Sequence, residues 1–210
     1  MRAKKYAAVF ATVVLGATTM AALSAGSVQA SAKGLIAEVT AADGTALGTV
    51  RIVGTEDGKT KVSANLQGLA PGFHGFHVHS VGTCDPAAQD PNGVTIPFLS
   101  AGGHFNPVTT NTHGAHAGDL PSVLVAEDGT AMLRFKTDRF RPSELMDTDG
   151  SALIVHAGPD NFAHIPATTS TGGERYHSHF EDVFGADSAS KATGDAGARF
   201  ACGQVVKAAG

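Results

Sequence analysis

Four Asp-Gly dipeptides divide this chain of 210 residues into short segments, and they constrain its fold more than any other feature. Asp and Gly tolerate the positive φ angles of tight turns, so each pair predicts a turn between antiparallel strands. The pairs stand at residues 43–44, 57–58, 128–129 and 149–150. Segments with the composition of strands lie beside them, at 33–41, 46–54, 59–67, 73–80, 122–127, 130–137, 151–156 and 201–207. This spacing predicts one all-β domain, an antiparallel sandwich or barrel.

Two connections between these strands, residues 81–121 and 157–200, are far too long for ordinary hairpins. Loops of this length in a compact domain usually carry function. No amphipathic segment of helical period runs longer than a turn or two. We therefore expect the functional residues at the edges of the two loops.

The composition narrows the class of protein further. With 42% hydrophobic and 16% charged residues, the chain can bury one sizeable core and does not resemble a disordered protein. The formal net charge of −4 argues against a nucleic-acid partner bound through a basic surface. The ten histidines are the unusual quantity, and they point to the chemistry.

The first thirty residues predict an export signal. Basic residues within the first five positions precede an apolar run over 6–23, and small residues then lead to a cleavage site near Ala30. A membrane anchor is the alternative, but the run is rich in Ala and Thr and only about eighteen residues long, borderline for a bilayer. We expect a single domain over 31–210, secreted or retained in the periplasm or cell envelope, with no stable membrane anchor after cleavage.

Both cysteines, Cys84 and Cys202, lie in the predicted mature part. In an oxidising compartment one disulfide between them is the default expectation. A pair of thiolate ligands to a metal ion is the alternative.

A His-x-His pair, His77 and His79, lies in a segment with strand composition. Because side chains alternate across a strand, both imidazoles share one face and could chelate a single metal ion. His74 points to the other face and is predicted to be a buried hydrogen-bonding residue. Two ordinary surface histidines are the alternative to the chelating pair.

A second cluster of ligand types falls within sixteen residues of a Gly-rich loop: His104, His113, His116 and Asp119. Three imidazoles and one carboxylate make a closed tetrahedral set, which structural zinc sites prefer. A solvated polar loop is the alternative, but the proximity of four ligands favours a metal site.

A third element is the apolar strand that ends in His156, with Asp160 four residues later. A histidine at a strand end can join a site built by another strand, and the carboxylate could orient a ligand imidazole by a hydrogen bond. Arg199 stands three residues before Cys202 and carries no information by itself.

Five motifs in this order closely resemble the copper/zinc superoxide dismutase family, in its exported bacterial form: GFHVH, GGHFNP, HAGDLP, VHAGPDN and GDAGARFACG. The resemblance runs from about residue 33 to 207. It implies an eight-stranded antiparallel Greek-key β-barrel with its metals outside the barrel wall, beneath the two long loops. It also implies that copper alternates between two oxidation states while superoxide is converted to dioxygen and hydrogen peroxide.

The resemblance assigns roles to individual residues. The implied copper ligands are His77, His79, His104 and His156. The implied zinc ligands are His104, through its other nitrogen, together with His113, His116 and Asp119. His104 would also carry a proton for the product, and Asp160 would tie a copper-ligand imidazole to a zinc-ligand imidazole.

Three further roles follow from the same resemblance. Arg199 would be the active-site arginine that anchors the superoxide anion, with Lys191 at the rim of the loop. Cys84 and Cys202 would form the intrasubunit disulfide of the family. Both a monomer and a homodimer remain open.

Two departures from the family pattern bear on these roles. Only two residues separate His113 from His116, fewer than is usual, which leaves a copper-only enzyme as an alternative. The connection 157–200 is longer than usual and carries additional ring residues: His164, Tyr176, His177 and His179. We predict that these four residues lie at the surface of the loop. The alternative is that they form a copper-capturing or dimer-contact element.

Other functions share some of these features. A zinc hydrolase is disfavoured because the chain has no H-E-x-x-H motif. A non-catalytic exported copper-binding module would use the same ligands, but it would not need Arg199 beside the copper position.

Overall fold

The structure, a computed structural model, describes residues 34–209. The strands are β1 (Leu35–Ala41), β2 (Ala46–Gly54), β3 (Thr60–Leu66), β4 (Gly72–His74), β5 (Phe76–His79), β6 (Val123–Val125), β7 (Ala131–Thr137), β8 (Ala152–His156), β9 (His177–Ser178), β10 (Val183–Phe184), β11 (Arg199–Gln204) and β12 (Val206–Lys207). One α-helix, α1 (Ser188–Thr193), and two 3-10 turns, Leu99–Ala101 and Pro142–Met146, complete the described elements. The predicted export signal over 1–30 lies outside the described residues.

The main strands form one antiparallel sheet in the order β5-β8-β11-β1-β2-β3-β7, with β12 beside β1. A separate ladder pairs β4 with β6. Since β4 leads into β5 and β6 leads into β7, this ladder connects elements from the two ends of the sheet. The chain returns to place β11 beside β1, which gives the strand order of a Greek key. The predicted fold class is confirmed.

Alternation of side chains explains why β5 is buried on both faces. Phe76 and Val78 point into the main hydrophobic core. His77 and His79 point to the opposite face, yet both are almost fully buried. The connections 81–121 and 157–200 cover this outer face. The sequence pattern therefore places two imidazoles between the barrel wall and its loops.

A second, smaller core lies under the connection 81–121. It contains Phe98, Ala101, Ile154 and Cys202, with Cys84 packed against it. A disulfide joins Cys84 to Cys202 across a sequence separation of 118 residues. This bond and the small core attach the loop to the wall of the barrel.

The strands differ from the predicted segments in three places. The predicted segment 201–207 is two strands, β11, which begins earlier at Arg199, and β12, with Val205 between them. The segment 73–80 is divided at Gly75, where a Cβ atom would lie 2.6 Å from the Cβ of Ala196, so the connection 157–200 approaches the barrel closely there. That connection is also more structured than its sequence indicated, because it contains the hairpin β9–β10 and helix α1. Among the described residues, no helix is both long and apolar enough to cross a bilayer.

Candidate metal centre

The outer edge of β5 holds the loop that brings the remaining ligands into place. One side of β5 pairs with β8. On its other side, the Val78 N–H donates to the Gly118 carbonyl at 2.9 Å, and the Phe105 N–H donates to the Val78 carbonyl at 2.8 Å. Isolated bridges pair His79 with His104 and His77 with Asp119. Backbone pairing thus puts loop ligands opposite strand ligands.

Four buried histidines converge to form the strand group: His77, His79, His104 and His156. One nitrogen of each ring lies within 4.8 Å of the corresponding nitrogens of the others. The ring centroids of His77 and His104 are 4.1 Å apart, and those of His77 and His156 are 4.8 Å apart. This spacing permits all four rings to contact one ion.

The hydrogen bonds on the outer side of these rings fix which nitrogen faces the centre. His79 donates from Nδ1 to the Gly102 carbonyl, and His156 donates from Nδ1 to the Gly197 carbonyl, each at 2.9 Å. His77 donates from Nε2 to Oδ2 of Asp160 at 2.8 Å. Because the partners are acceptors, each opposite ring nitrogen carries a lone pair in the neutral ring.

The inward-facing nitrogens are the observation that tests the site for a metal. Nδ1 of His77, Nε2 of His79 and Nε2 of His156 are buried and have no hydrogen-bond partner among the described residues. Buried polar atoms are nearly always paired, since an unmade bond costs free energy. One metal ion would satisfy all three, so the residues present fit a copper ion.

Electrostatics keep three rings of the strand group neutral: His77, His79 and His156. Burial lowers the pKa of His77 to about 4, although the hydrogen bond that His77 donates to Asp160 opposes the shift. Burial, with the nearby His77, lowers the pKa of His156 to about 3. Burial also places the pKa of His79 well below its ordinary value. Neutral imidazoles are the form that binds metals.

A second set, the loop group, consists of His104, His113, His116 and Asp119. Oδ1 of Asp119 lies 2.9 Å from Nδ1 of His104, 3.2 Å from Nδ1 of His113 and 3.3 Å from Nδ1 of His116. The Nδ1 atoms of His104 and His113 are 3.3 Å apart. Ligands about 2.0 Å from a tetrahedral ion are about 3.3 Å from one another, and these four distances are close to that value. Asp119 is the residue that brings His116 to the group.

The short spacing between His113 and His116 closes a tight turn. Gly114 has a φ of 87°, and Oδ2 of Asp119 accepts from the N–H groups of Gly114 at 2.7 Å and His116 at 2.9 Å. These bonds leave Oδ1 of Asp119 directed at the imidazoles. The departure from the usual spacing therefore does not separate the ligands.

Arg139 supports the same turn and was not identified from the sequence. Its guanidinium donates to the carbonyl of His116 and to the carbonyl of Gly114, each at 3.0 Å. The residue follows β7 and lies more than twenty positions from the turn along the chain. A lone arginine after a strand gives no sequence signal for this role.

Asp160 connects the two groups. Its Oδ2 accepts from His77, and its Oδ1 accepts from Nε2 of His113 at 2.8 Å. Burial works against ionisation, but these hydrogen bonds hold the pKa of Asp160 below its ordinary value. Burial likewise opposes the charge of His113, yet its hydrogen bonds to Asp119 and Asp160 raise its pKa to about 9. The two buried carboxylates thus favour a positive charge at this point.

Gly194, the C-cap residue of α1, packs directly against the hydrogen bond between Asp160 and His113. A Cβ atom there would collide with Oδ1 of Asp160 and with the ring of His113. The residue also has a left-handed φ of 63°. Two independent constraints therefore require glycine, and they bring the end of α1 onto the link between the groups.

Arg199 lines an open cleft of about 470 Å³ beside the strand group, together with His79, His104, His156, Thr193 and Asp195. Its guanidinium donates to the Phe98 carbonyl at 2.6 Å and to the Gly102 carbonyl at 2.7 Å. The Gly102 carbonyl also accepts from His79, so one backbone group orients both side chains. Register in the sheet places Arg199 opposite His156.

The other predicted residues lie outside these groups. Both nitrogens of His74 lie at backbone carbonyls, those of His156 at 2.7 Å and Ala70 at 2.8 Å, which confirms the prediction of a buried hydrogen-bonding residue. Lys191 is exposed on α1 and does not line the cleft. The four ring residues of the longer connection are at least partly exposed: His164, Tyr176, His177 and His179.

Comparison with known proteins agrees with this arrangement. Residues 46–205 match the family model for copper/zinc superoxide dismutase. A Cu-Zn superoxide dismutase of Mycobacterium tuberculosis is 41% identical over 178 residues, covering 83% of this chain and 70% of the relative. One of Escherichia coli is 39% identical over 138 residues, covering 63% and 77%.

Solved structures give the same result. The Cu/Zn superoxide dismutase from Brucella abortus superposes with a TM-score of 0.57 at 27% identity, over 81% of this chain and 98% of that one. A SOD-like protein from Bacillus subtilis gives a TM-score of 0.57 at 26% identity, over 81% and 97%. With a matching family model, a Greek-key sheet and two adjoining sets of buried ligands, the chain belongs to the copper/zinc superoxide dismutase family.

Proposed function

We propose that the strand group, His77, His79, His104 and His156, holds the copper of this superoxide dismutase. The observation that carries the assignment is the convergence of three buried ring nitrogens that lack a partner among the described residues. When bound, copper supplies the one-electron couple by which two superoxide ions and two protons become dioxygen and hydrogen peroxide. The imidazoles would hold the ion beside the cleft, which three of them line.

The loop group would hold a structural zinc ion: His104, His113, His116 and Asp119. The distances of 2.9–3.3 Å from Oδ1 of Asp119 to Nδ1 of each histidine support this role, because they are close to the ligand separations around a tetrahedral zinc ion. A copper-only enzyme would leave Nδ1 of His116 buried without a hydrogen-bond partner among the described residues. The structure therefore favours zinc over the copper-only alternative.

His104 would serve both groups. Its Nδ1 faces Asp119 at 2.9 Å within the loop group, and the ring also belongs to the strand group. Its Nε2 is then the atom of this chain that can hold a proton close to the reacting anion. The side chain lines the cleft, so a proton at this position can be replaced from solvent.

Arg199 would bind and orient the superoxide anion. Two carbonyl contacts hold the guanidinium at the cleft, and its remaining N–H groups are available for a small anion. The chain carries a net negative charge, so a local positive group at the cleft must focus the field that attracts the substrate. A storage module for copper would have no use for this arginine.

We also propose that the protein acts outside the cytoplasm, secreted or in the periplasm or cell envelope. The Cys84–Cys202 disulfide supports an oxidising compartment. Signal cleavage near Ala30 would leave the mature chain without a stable membrane anchor.

Removal of a copper ligand tests the catalytic assignment. The protein loaded with both metals is expected to disproportionate superoxide, and His156→Ala to lose copper and activity together while the β-sheet spectrum is kept. His164→Ala, which removes an exposed histidine from the connection 157–200 that follows His156, is the matched control. Full activity of a copper-free preparation, or of His156→Ala, would refute the proposal.

Reversal of charge at Arg199 distinguishes an enzyme from a copper store. Arg199→Glu is expected to lower the rate by about 10–1,000-fold and to invert its salt dependence, because salt then screens a repulsion. Copper content should stay at the parental level, since Arg199 is not a ligand. A rate that is insensitive to this change would contradict a role in anion binding.

A further inference from the structure

The hairpin β9–β10 carries a second His-x-His pair that the dismutase reaction does not use. His177 and His179 flank Ser178, and their Nδ1 atoms lie 3.2 Å apart. The ring centroids are 4.7 Å apart. Two histidine nitrogens converge in the same way as in the buried centre, but at the surface. We propose that this pair is a third metal site, which takes an imidazole-binding divalent cation such as Cu²⁺ or Zn²⁺.

The separation of the two nitrogens suits chelation of one ion. With bonds of about 2.0–2.1 Å, nitrogens at this distance subtend about 100–105° at a metal, between square-planar and tetrahedral angles. The backbone supports the arrangement, because β9 pairs with β10 at Ser178–Val183 and His177–Phe184. The ring of Phe184 packs against that of His177, with centroids 4.6 Å apart. The hairpin therefore holds the two nitrogens in a geometry that is already suitable for chelating one ion.

A carboxylate sets the tautomer that metal binding needs. His177 donates from Nε2 to Oδ1 of Asp182 at 3.0 Å, so its Nδ1 carries the lone pair that faces His179. Metal-binding histidines characteristically donate their other nitrogen to a carboxylate in this way. Asp182 has a left-handed φ of 53°, which turns the hairpin so that its side chain returns to His177. This hydrogen bond is a second observation, independent of the spacing of the rings.

The surroundings admit a cation. The side chain of His177 is 24% exposed and that of Asp182 94% exposed, while His179 is exposed. The stretch 174–187 carries four carboxylates and one arginine, an acidic excess that attracts a metal ion. Two protein ligands leave the other coordination positions to water. The site is therefore open and exchangeable, in contrast to the buried centre.

The hairpin is also joined to helix α1, which lies in the same connection, closer to the buried centre. Ser178 donates from its hydroxyl to Asp187 at 2.7 Å, and the same carboxylate caps α1 by accepting from the Ser190 N–H at 2.9 Å. Helix α1 is followed by its C-cap residue Gly194, which lies against Asp160 and His113. An ion on the hairpin is thus held on the same connection that lines the cleft.

Metal titration of the fully loaded protein tests the proposal. Protein carrying its copper and zinc is equilibrated with Cu²⁺ alone, and bound copper is measured by equilibrium dialysis and by the nitrogen hyperfine pattern in electron paramagnetic resonance. One additional Cu²⁺ per chain is expected, with two nitrogen ligands. A parallel titration with Zn²⁺ is expected to show weaker binding, following the general affinity order of these ions.

Variants assign the additional ion to the hairpin. The double variant His177→Ala/His179→Ala is expected to lose it, and His164→Ala to keep it. Asp182→Asn keeps both ligands and is expected to weaken binding by about 10-fold, the lower end of the effect of such partners. The spectrum of the buried copper should be unchanged in every variant, which shows that each has folded.

The proposal fails if no third equivalent binds to the loaded protein. It fails equally if the double variant retains the third ion, or if His164→Ala loses as much as the double variant. These readouts do not depend on dismutase activity, so they leave the assignments within the buried centre untouched.

Discussion

The two ligand groups of the buried centre are positioned by different means. Most of the strand group stands on β5 and β8, where the alternation of side chains and the register of the sheet fix each ring. The loop group stands on a Gly-rich turn with no regular structure. Asp119 closes this turn locally, and Arg139 and Asp160, which are distant along the chain, support it. The geometry of the sheet thus builds one group, while side-chain hydrogen bonds, both local and long-range, build the other.

This difference predicts how each group responds to the substitution of a residue. A strand ligand can be removed without disturbing its neighbours, because the barrel core behind it stays packed. A residue that supports the loop group can disturb several ligands at once, even when it touches no metal. Asp160 bonds to one histidine of each group, so a substitution there is expected to affect both groups.

The largest expected effect comes from removing one ligand of each group in parallel. His79→Ala is expected to lose copper and all measurable activity but to keep about one zinc per chain. His116→Ala is expected to lose zinc and to keep copper, because its ring contacts only the loop group. Elemental analysis and a disproportionation assay check both. Loss of both metals in His79→Ala would show that the groups do not respond separately.

A smaller effect is expected where α1 meets the link between the groups. In Gly194→Ala the new methyl group must displace Asp160 or His113, so zinc affinity should fall by about 10–100-fold, as for other losses of orienting partners. Gly172→Ala is the matched control, since Gly172 also has a positive φ, of 86°, but a Cβ atom there would meet nothing within 4 Å. Equal zinc affinities in the two variants would contradict the prediction that the methyl group at Gly194 disturbs the ligands.

The same contrast explains how much of the fold and of the metal centre could be predicted from the sequence alone. The face shared by His77 and His79 follows from strand alternation, and Asp-Gly turns mark most of the hairpins. The ligands of the loop group could be listed, but the support that Arg139 and Asp160 give to their turn could not be derived. The hairpin β9–β10 was also missed, since strands of two residues leave no periodic pattern. Contacts between distant residues leave no local signature.

The smallest effect is expected at Arg139, because this residue supports the loop group without contacting any proposed ligand atom. Arg139→Ala removes two hydrogen bonds to the carbonyls of Gly114 and His116, worth about 1–2 kcal/mol of folding free energy together. The Gly114 carbonyl is in an exposed bond and can bond to water instead, and the His116 carbonyl still accepts from the Asp119 N–H at 3.2 Å, so the turn loosens without unfolding. Zinc should dissociate faster on challenge with a chelator, while copper content and the rate of the loaded enzyme stay near the parental values.

Arg134→Ala is the control for this variant, since Arg134 is an exposed arginine on β7 and makes no contact with the turn. It removes the same charge from the same strand region, so any change in general electrostatics appears in both variants. A zinc dissociation rate that rises only in Arg139→Ala assigns the effect to the two hydrogen bonds. An equal rise in both variants would mean that net charge, and not the shape of the turn, controls zinc retention.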